Sequence, residues 1–78
     1  MADVEDVENK IMSLYKEMNL GANEFIMMPR FISERSKWTP PERRLVDEAL
    51  KNLVGKGYVV TGRLGLTLTE AGETFIYE

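Results

Sequence analysis

Apolar residues recur over the first eighteen positions at spacings of three and four: Val4, Val7, Ile11, Leu14, Tyr15 and Met18. That stripe predicts an amphipathic helix from about Asp3 to Met18, ending near Gly21. Acids crowd its first turns, where the positive end of the helix dipole favours them. A wider apolar face follows at Leu45, Val46, Ala49, Leu50, Leu53 and Val54, as on a helix packed against a core. Its start is marked by Thr39-Pro40-Pro41-Glu42. In such a capping box the Thr39 hydroxyl accepts from the Glu42 amide, and the Glu42 carboxylate reaches back to the Thr39 amide. The prolines lose nothing there, because those amides have no partner within a helix. One helix over 40–55 is therefore expected, with Gly55 and Gly57 as candidate left-handed caps and Lys56 favourable at its carboxyl end.

Between the two helices lies Asn23-Glu-Phe-Ile-Met-Met-Pro-Arg-Phe-Ile-Ser-Glu-Arg35. Pro29 lacks an amide proton and biases Met28 away from helical geometry. Two readings stand: an extended Phe25–Met28 followed by a short helix 29–36, or one helix from Asn23 kinked at Pro29. After the second helix, Tyr58-Val-Val-Thr61 and Leu64-Gly-Leu-Thr-Leu-Thr69 have the β-branched, alternating character of strands. Gly62-Arg63 joins them in a tight hairpin, with Leu64, Leu66 and Leu68 on one face and Thr67 and Thr69 on the other. Thr69 then opens a short C-terminal helix with Phe75 and Ile76 turned inward. These elements predict an α+β fold in a single domain, 1–78.

Composition narrows the function classes. Seventy-eight residues bury only about 60–65% of the unfolded surface, so the core is thin. Neither cysteine nor histidine is present, which excludes disulfides and Cys/His zinc sites and removes the commonest general acid–base group. The acids Asp3, Glu5, Asp6 and Glu8 lack the spaced ligands and glycine of a calcium loop, and no glycine-rich phosphate loop is present. The expectation is a protein that is not an enzyme and carries no cofactor or metal. The acidic start, Met1-Ala-Asp-Val-Glu-Asp6, is unlike a signal peptide, and no apolar run approaches the length of a membrane span. A cytoplasmic protein is expected.

The net charge of −3 is unevenly spread. Residues 1–18 hold five acids against Lys10 and Lys16. The stretch from Arg30 to Arg63 holds eight bases and four acids, a local +4. The chain is acidic at its ends and basic in its middle, the kind of polarity that steers a domain toward a polyanion.

The order of these elements, with Leu53-Val-Gly-Lys-Gly57-Tyr-Val-Val before the hairpin and Leu68-Thr-Glu-Ala-Gly72 after it, resembles the winged helix-turn-helix superfamily over about Thr39 to Ile76. The resemblance implies a three-helix core with a short β-hairpin wing and a short terminal helix. It also implies duplex DNA as partner, with helix 40–55 as recognition helix, and a regulatory role; one small module gives limited affinity and selectivity, so a homodimer is expected. Many domains of this shape bind proteins instead, so a protein-interaction module without DNA binding is the alternative.

The candidate DNA-binding residues are Lys37, Trp38, Thr39, Arg43, Arg44, Lys51 and Arg63. Arg44 and Lys51 lie opposite the leucines on a helical wheel, and Arg43 lies toward one edge. Arginine's planar fork suits both guanine and phosphate. Lys37, beside Trp38 and the helix start, would neutralise a phosphate, and Arg63 at the hairpin tip would reach a groove. Against this stands an intrahelical ladder of i,i+4 pairs, Arg43 with Asp47, Arg44 with Glu48 and Asp47 with Lys51, which would leave the helix neutral. Trp38 has a bland reading too, packed over the helix terminus and stacked on Arg43.

Overall fold

A computed structural model of the chain describes residues 3–78; Met1 and Ala2, which open the acidic N-terminus, lie outside the described residues. Among these the fold is α+β, with five helices and one three-stranded antiparallel sheet. In chain order the elements are α1 (Val4–Glu17), β1 (Phe25–Met27), α2 (Met28–Arg35), α3 (Pro40–Arg44), α4 (Val46–Gly55), β2 (Val59–Thr61), β3 (Gly65–Leu68) and α5 (Glu70–Tyr77).

The predicted stripe of α1 is its buried face: Val7, Ile11, Leu14 and Tyr15 are in the core. Asp3 caps the helix, its carboxylate accepting from the Asp6 amide at 2.9 Å. The stretch around Pro29 resolves to strand plus short helix, not one kinked helix. Met28 differs from expectation: it opens α2 instead of closing the strand. Its amide donates to the Leu64 carbonyl at 2.9 Å, so one residue ends the pairing with β3 and begins the helix.

The helix expected over 40–55 is divided at Leu45. The capping box forms, with Thr39 N–H donating to Glu42 Oε1 at 2.9 Å and Glu42 N–H to Thr39 Oγ1 at 3.4 Å. Leu45, at φ −94° and ψ −2°, then donates its amide back to the Glu42 carbonyl at 3.1 Å, a three-residue closure tighter than an α-turn. The α-helix resumes with Ala49 N–H to Leu45 O at 2.9 Å. That tightened turn lets α3 keep its cap while α4 turns Val46, Ala49 and Leu53 into the core. The end of α4 follows the expectation for glycine: Gly57 has φ +78°, Gly57 N–H bonds Val54 O and Tyr58 N–H bonds Leu53 O, each at 3.0 Å. This is a Schellman closure with glycine at its left-handed position.

In the sheet β3 lies between β1 and β2. Phe25, Ile26 and Met27 stand opposite Thr67, Leu66 and Gly65, while Val59, Val60 and Thr61 stand opposite Leu68, Thr67 and Leu66. Ile26, Leu66, Leu68 and Val59 face the helices and are buried. The hairpin turn is one residue later than expected. Gly62 N–H donates to Gly65 O at 2.9 Å, leaving Arg63 and Leu64 as the tip. Leu64 is therefore an exposed turn residue and does not share the buried face of Leu66 and Leu68. In α5, Thr69 caps the Gly72 amide at 3.0 Å and Ile76 turns inward. Phe75 does not: it is exposed and stacks on Tyr58 with ring centroids 4.7 Å apart.

The buried residues form one core beneath α1, α4 and the inner sheet face, with Phe31 from α2 and Ile76 from α5. Helix α1 packs chiefly on α4 and also meets α5. Two polar ties cross that core. Tyr15 donates its hydroxyl to the Leu66 carbonyl at 2.6 Å, and burial pushes the phenol's pKa up. Glu8, only 5% exposed, accepts from Asn52 Nδ2 at 2.9 Å and Lys56 Nζ at 2.6 Å. No helix among the described residues is long and apolar enough to cross a membrane.

Candidate nucleic-acid interface

Trp38, Thr39 and Arg43 are brought together at the start of α3. Trp38 is half-buried against the core, its ring edge-on to Phe31 at 6.5 Å between centroids. Arg43 Nη1 donates to the Trp38 carbonyl at 2.5 Å, which differs from stacking on the ring. The cation over the indole is Lys10 of α1, 5.6 Å from the ring centroid. Lys10 Nζ also pairs with Glu42 at 3.2 Å. The Thr39 amide, with help from Lys10, holds the Glu42 carboxyl below its usual range. Trp38, Thr39 and Glu42 thus form a joint that fixes α3 on α1. Arg43 closes the joint through one nitrogen and keeps its remaining donors at an exposed position.

The ladder of pairs along the helix does not form. The ion pairs among the described residues are Lys10–Glu42, Arg30–Glu34, Lys37–Glu34 and Lys56–Glu8. Division at Leu45 separates Arg43 and Arg44 from Asp47 and Glu48 by a non-α turn, so the i,i+4 spacing no longer brings them side by side. Arg44 and Lys51 are exposed and outside every one of these pairs. Lys51 lines an open groove between α4 and β2 with Asp47, Leu50, Val54 and Thr61. Lys37 is exposed and weakly held, its ammonium 3.7 Å from Glu34.

Arg63 stands apart. It lines a separate hollow with Phe25, Gly62, Leu64, Gly65 and Thr67, while the groove of Lys51 meets the hairpin at Thr61 of β2. The expected residues therefore fall into three settings: a structural joint (Trp38, Thr39, with Arg43 at its edge), exposed positions of α3 and α4 interspersed with Asp47 and Glu48 (Arg44, Lys51, with Lys37 nearby in sequence), and the hairpin tip (Arg63).

Sequence reasoning missed Lys10 and the pair Glu8–Lys56. Glu8 was legible, since it sits four residues after Val4 and three before Ile11, inside the apolar stripe. A carboxylate at such a position needs a partner when buried. Lys10 gave no such signal, because a lysine on an acidic helix reads as an ordinary solvated charge. The chain matches no protein-family model, no curated protein and no solved structure.

Proposed function

We propose that the chain is a small winged-helix protein that binds duplex DNA through the exposed surface of α3 and α4, acting as a regulator without catalysis. The order of helix, strand, two helical segments and hairpin, with β3 between β1 and β2, supports the winged-helix reading. The observation that carries the DNA reading is that Arg44 and Lys51 are exposed and engaged in none of the ion pairs among the described residues. Cations free of carboxylates are available to displace counterions from phosphate. In this reading Arg44 and Lys51 contact phosphate or base edges, Arg43 adds its free donors, and Lys37 flanks them. Trp38 and Thr39 act indirectly, by fixing where α3 begins. Arg63, on a different hollow, is left out of the contact set.

The test is titration of the protein into a labelled random duplex at low salt. Binding should appear in the micromolar range typical of non-specific contact and weaken on Arg44→Ala plus Lys51→Ala. Absence of binding at about 100 µM, well above ordinary non-specific constants, would sink the reading. A protein-interaction module is the second reading, favoured by the apolar outer face of the sheet, where Phe25, Met27 and Val60 are exposed.

A further inference from the structure

The sheet has one face on the core and one without a partner. By register, Phe25, Thr67 and Val60 form a row across all three strands on the outer side. Met27 continues that surface toward the hairpin tip, where Leu64 and Arg63 line one hollow with Phe25 and Thr67. Phe25, Met27, Val60 and Leu64 are 43, 60, 53 and 72% exposed. That is a little over two full side chains, on the order of 400 Å² of apolar surface when an aromatic one offers about 150–250 Å². That equals the largest patch of an ordinary monomer, about 300–600 Å².

Charge distinguishes the two ends of this face. At the wing end stands Arg63, outside all ion pairs among the described residues. At the other end β1 begins after Glu24 and β3 runs into Glu70, both exposed. Between them the row of Phe25, Thr67 and Val60 carries no charge. A surface with an apolar middle, a cation at one end and carboxylates at the other is complementary to itself when turned end for end.

The geometry points to a second copy of this chain as the occupant. The two sheets would lie face to face about a two-fold axis crossing the strands at the Phe25–Thr67–Val60 row. This operation sets each Phe25 near the axis and lays the Arg63 wing of one copy on Glu24 and Glu70 of the other, an isologous interface. Thr61, where the groove of Lys51 ends, faces the opposite side of β2 from Val60, so pairing leaves that groove open on each copy and places two of them on one particle.

The experiment is sedimentation equilibrium of the free protein, without nucleic acid, over about 10–200 µM, the range in which an interface of this size first becomes measurable. The expected mass is twice 8.9 kDa. Phe25→Lys with Val60→Lys, both at exposed positions, should raise the dissociation constant by on the order of 30-fold or more while leaving the circular dichroism spectrum unchanged. Arg63→Glu should weaken the dimer, and Glu24→Arg with Glu70→Arg in the same chain should restore it. Arg44→Ala with Lys51→Ala should remain dimeric, which separates this interface from the DNA reading. A monomer throughout the range, a dimer indifferent to Phe25→Lys with Val60→Lys, or a charge swap that fails to restore pairing would overturn the inference.

Discussion

A Cβ added at Gly72 would run into the Tyr58 carbonyl oxygen and lie 2.6 Å from Leu68 Cδ1. Neither neighbour has room to retreat: the Tyr58 carbonyl accepts from the Thr69 amide at 3.1 Å, and Leu68 is buried. Gly55, in the last turn of α4, has nothing within 4 Å of such a Cβ. The same substitution therefore has opposite signs at the two sites. Gly72→Ala should destabilise by about 1–3 kcal/mol, the cost of overpacking. Gly55→Ala should stabilise by about 0.5–1 kcal/mol, by narrowing the unfolded ensemble. Gly57 is a third case, with free space but φ +78°; Gly57→Ala should cost about 1 kcal/mol through backbone strain alone. Urea midpoints of the three variants should rank Gly55→Ala above wild type, then Gly57→Ala, then Gly72→Ala. A Gly72→Ala midpoint at or above wild type would contradict the packing of α5 on Tyr58.

Between elements, the tie from α1 to the end of α4 runs through Glu8. The hydrogen bond from Lys56, opposed by desolvation and aided by Asn52, lowers the Glu8 pKa below its unfolded value of 4.5. A group depressed in the folded state contributes stability that is complete above the unfolded value and lost as pH falls through the folded one. Glu8→Gln should cost about 1.5–3 kcal/mol at neutral pH, the range for a hydrogen bond to a charged group. It should also flatten, though not abolish, the fall in thermal midpoint between neutral pH and about pH 3, since Glu42 is shifted in the same direction by a separate contact. An acid limb parallel to wild type would remove Glu8 from the account. At this scale most of the fold was legible. The stripe of α1, the Thr39 box, Gly57 and the alternation in β3 each follow from local chemistry that the fold does not override. The division at Leu45 was not legible, because no residue there breaks a helix and nothing in residue type marks the tighter turn. The turn position and the exposure of Leu64 depended on which glycine pair closes the hairpin, and Gly62, Arg63 and Gly65 allow more than one closure. Among candidate site residues, residue type revealed the cations; the pairing of Arg43 and Arg44 depended on a helix phase that the turn at Leu45 changes, while Asp47 and Lys51 keep their spacing within α4 and do not pair.

Across the molecule, the balance of charge separates two kinds of cation that composition counts as equal. Lys56 has its ammonium 2.6 Å from the Glu8 carboxylate, which raises its pKa and leaves little positive potential to offer an approaching polyanion. Lys51 lies five residues earlier on α4, exposed beside the β2 groove and outside the ion pairs among the described residues. If α3 and α4 meet DNA, the two lysines differ in how many counterions their contacts release. Log affinity should fall linearly with log salt, with a slope of about −0.9 per phosphate neutralised. Lys51→Ala should make that slope shallower by about 1, and Arg44→Ala with Lys51→Ala by about 2. Lys56→Ala should lower stability and leave the slope of the folded protein where it was. These slopes are measured by fluorescence anisotropy over a salt series, at a temperature where every variant is folded. Equal effects of Lys51→Ala and Lys56→Ala would mean that DNA senses only the total charge, and the α3–α4 surface would lose its claim as the interface.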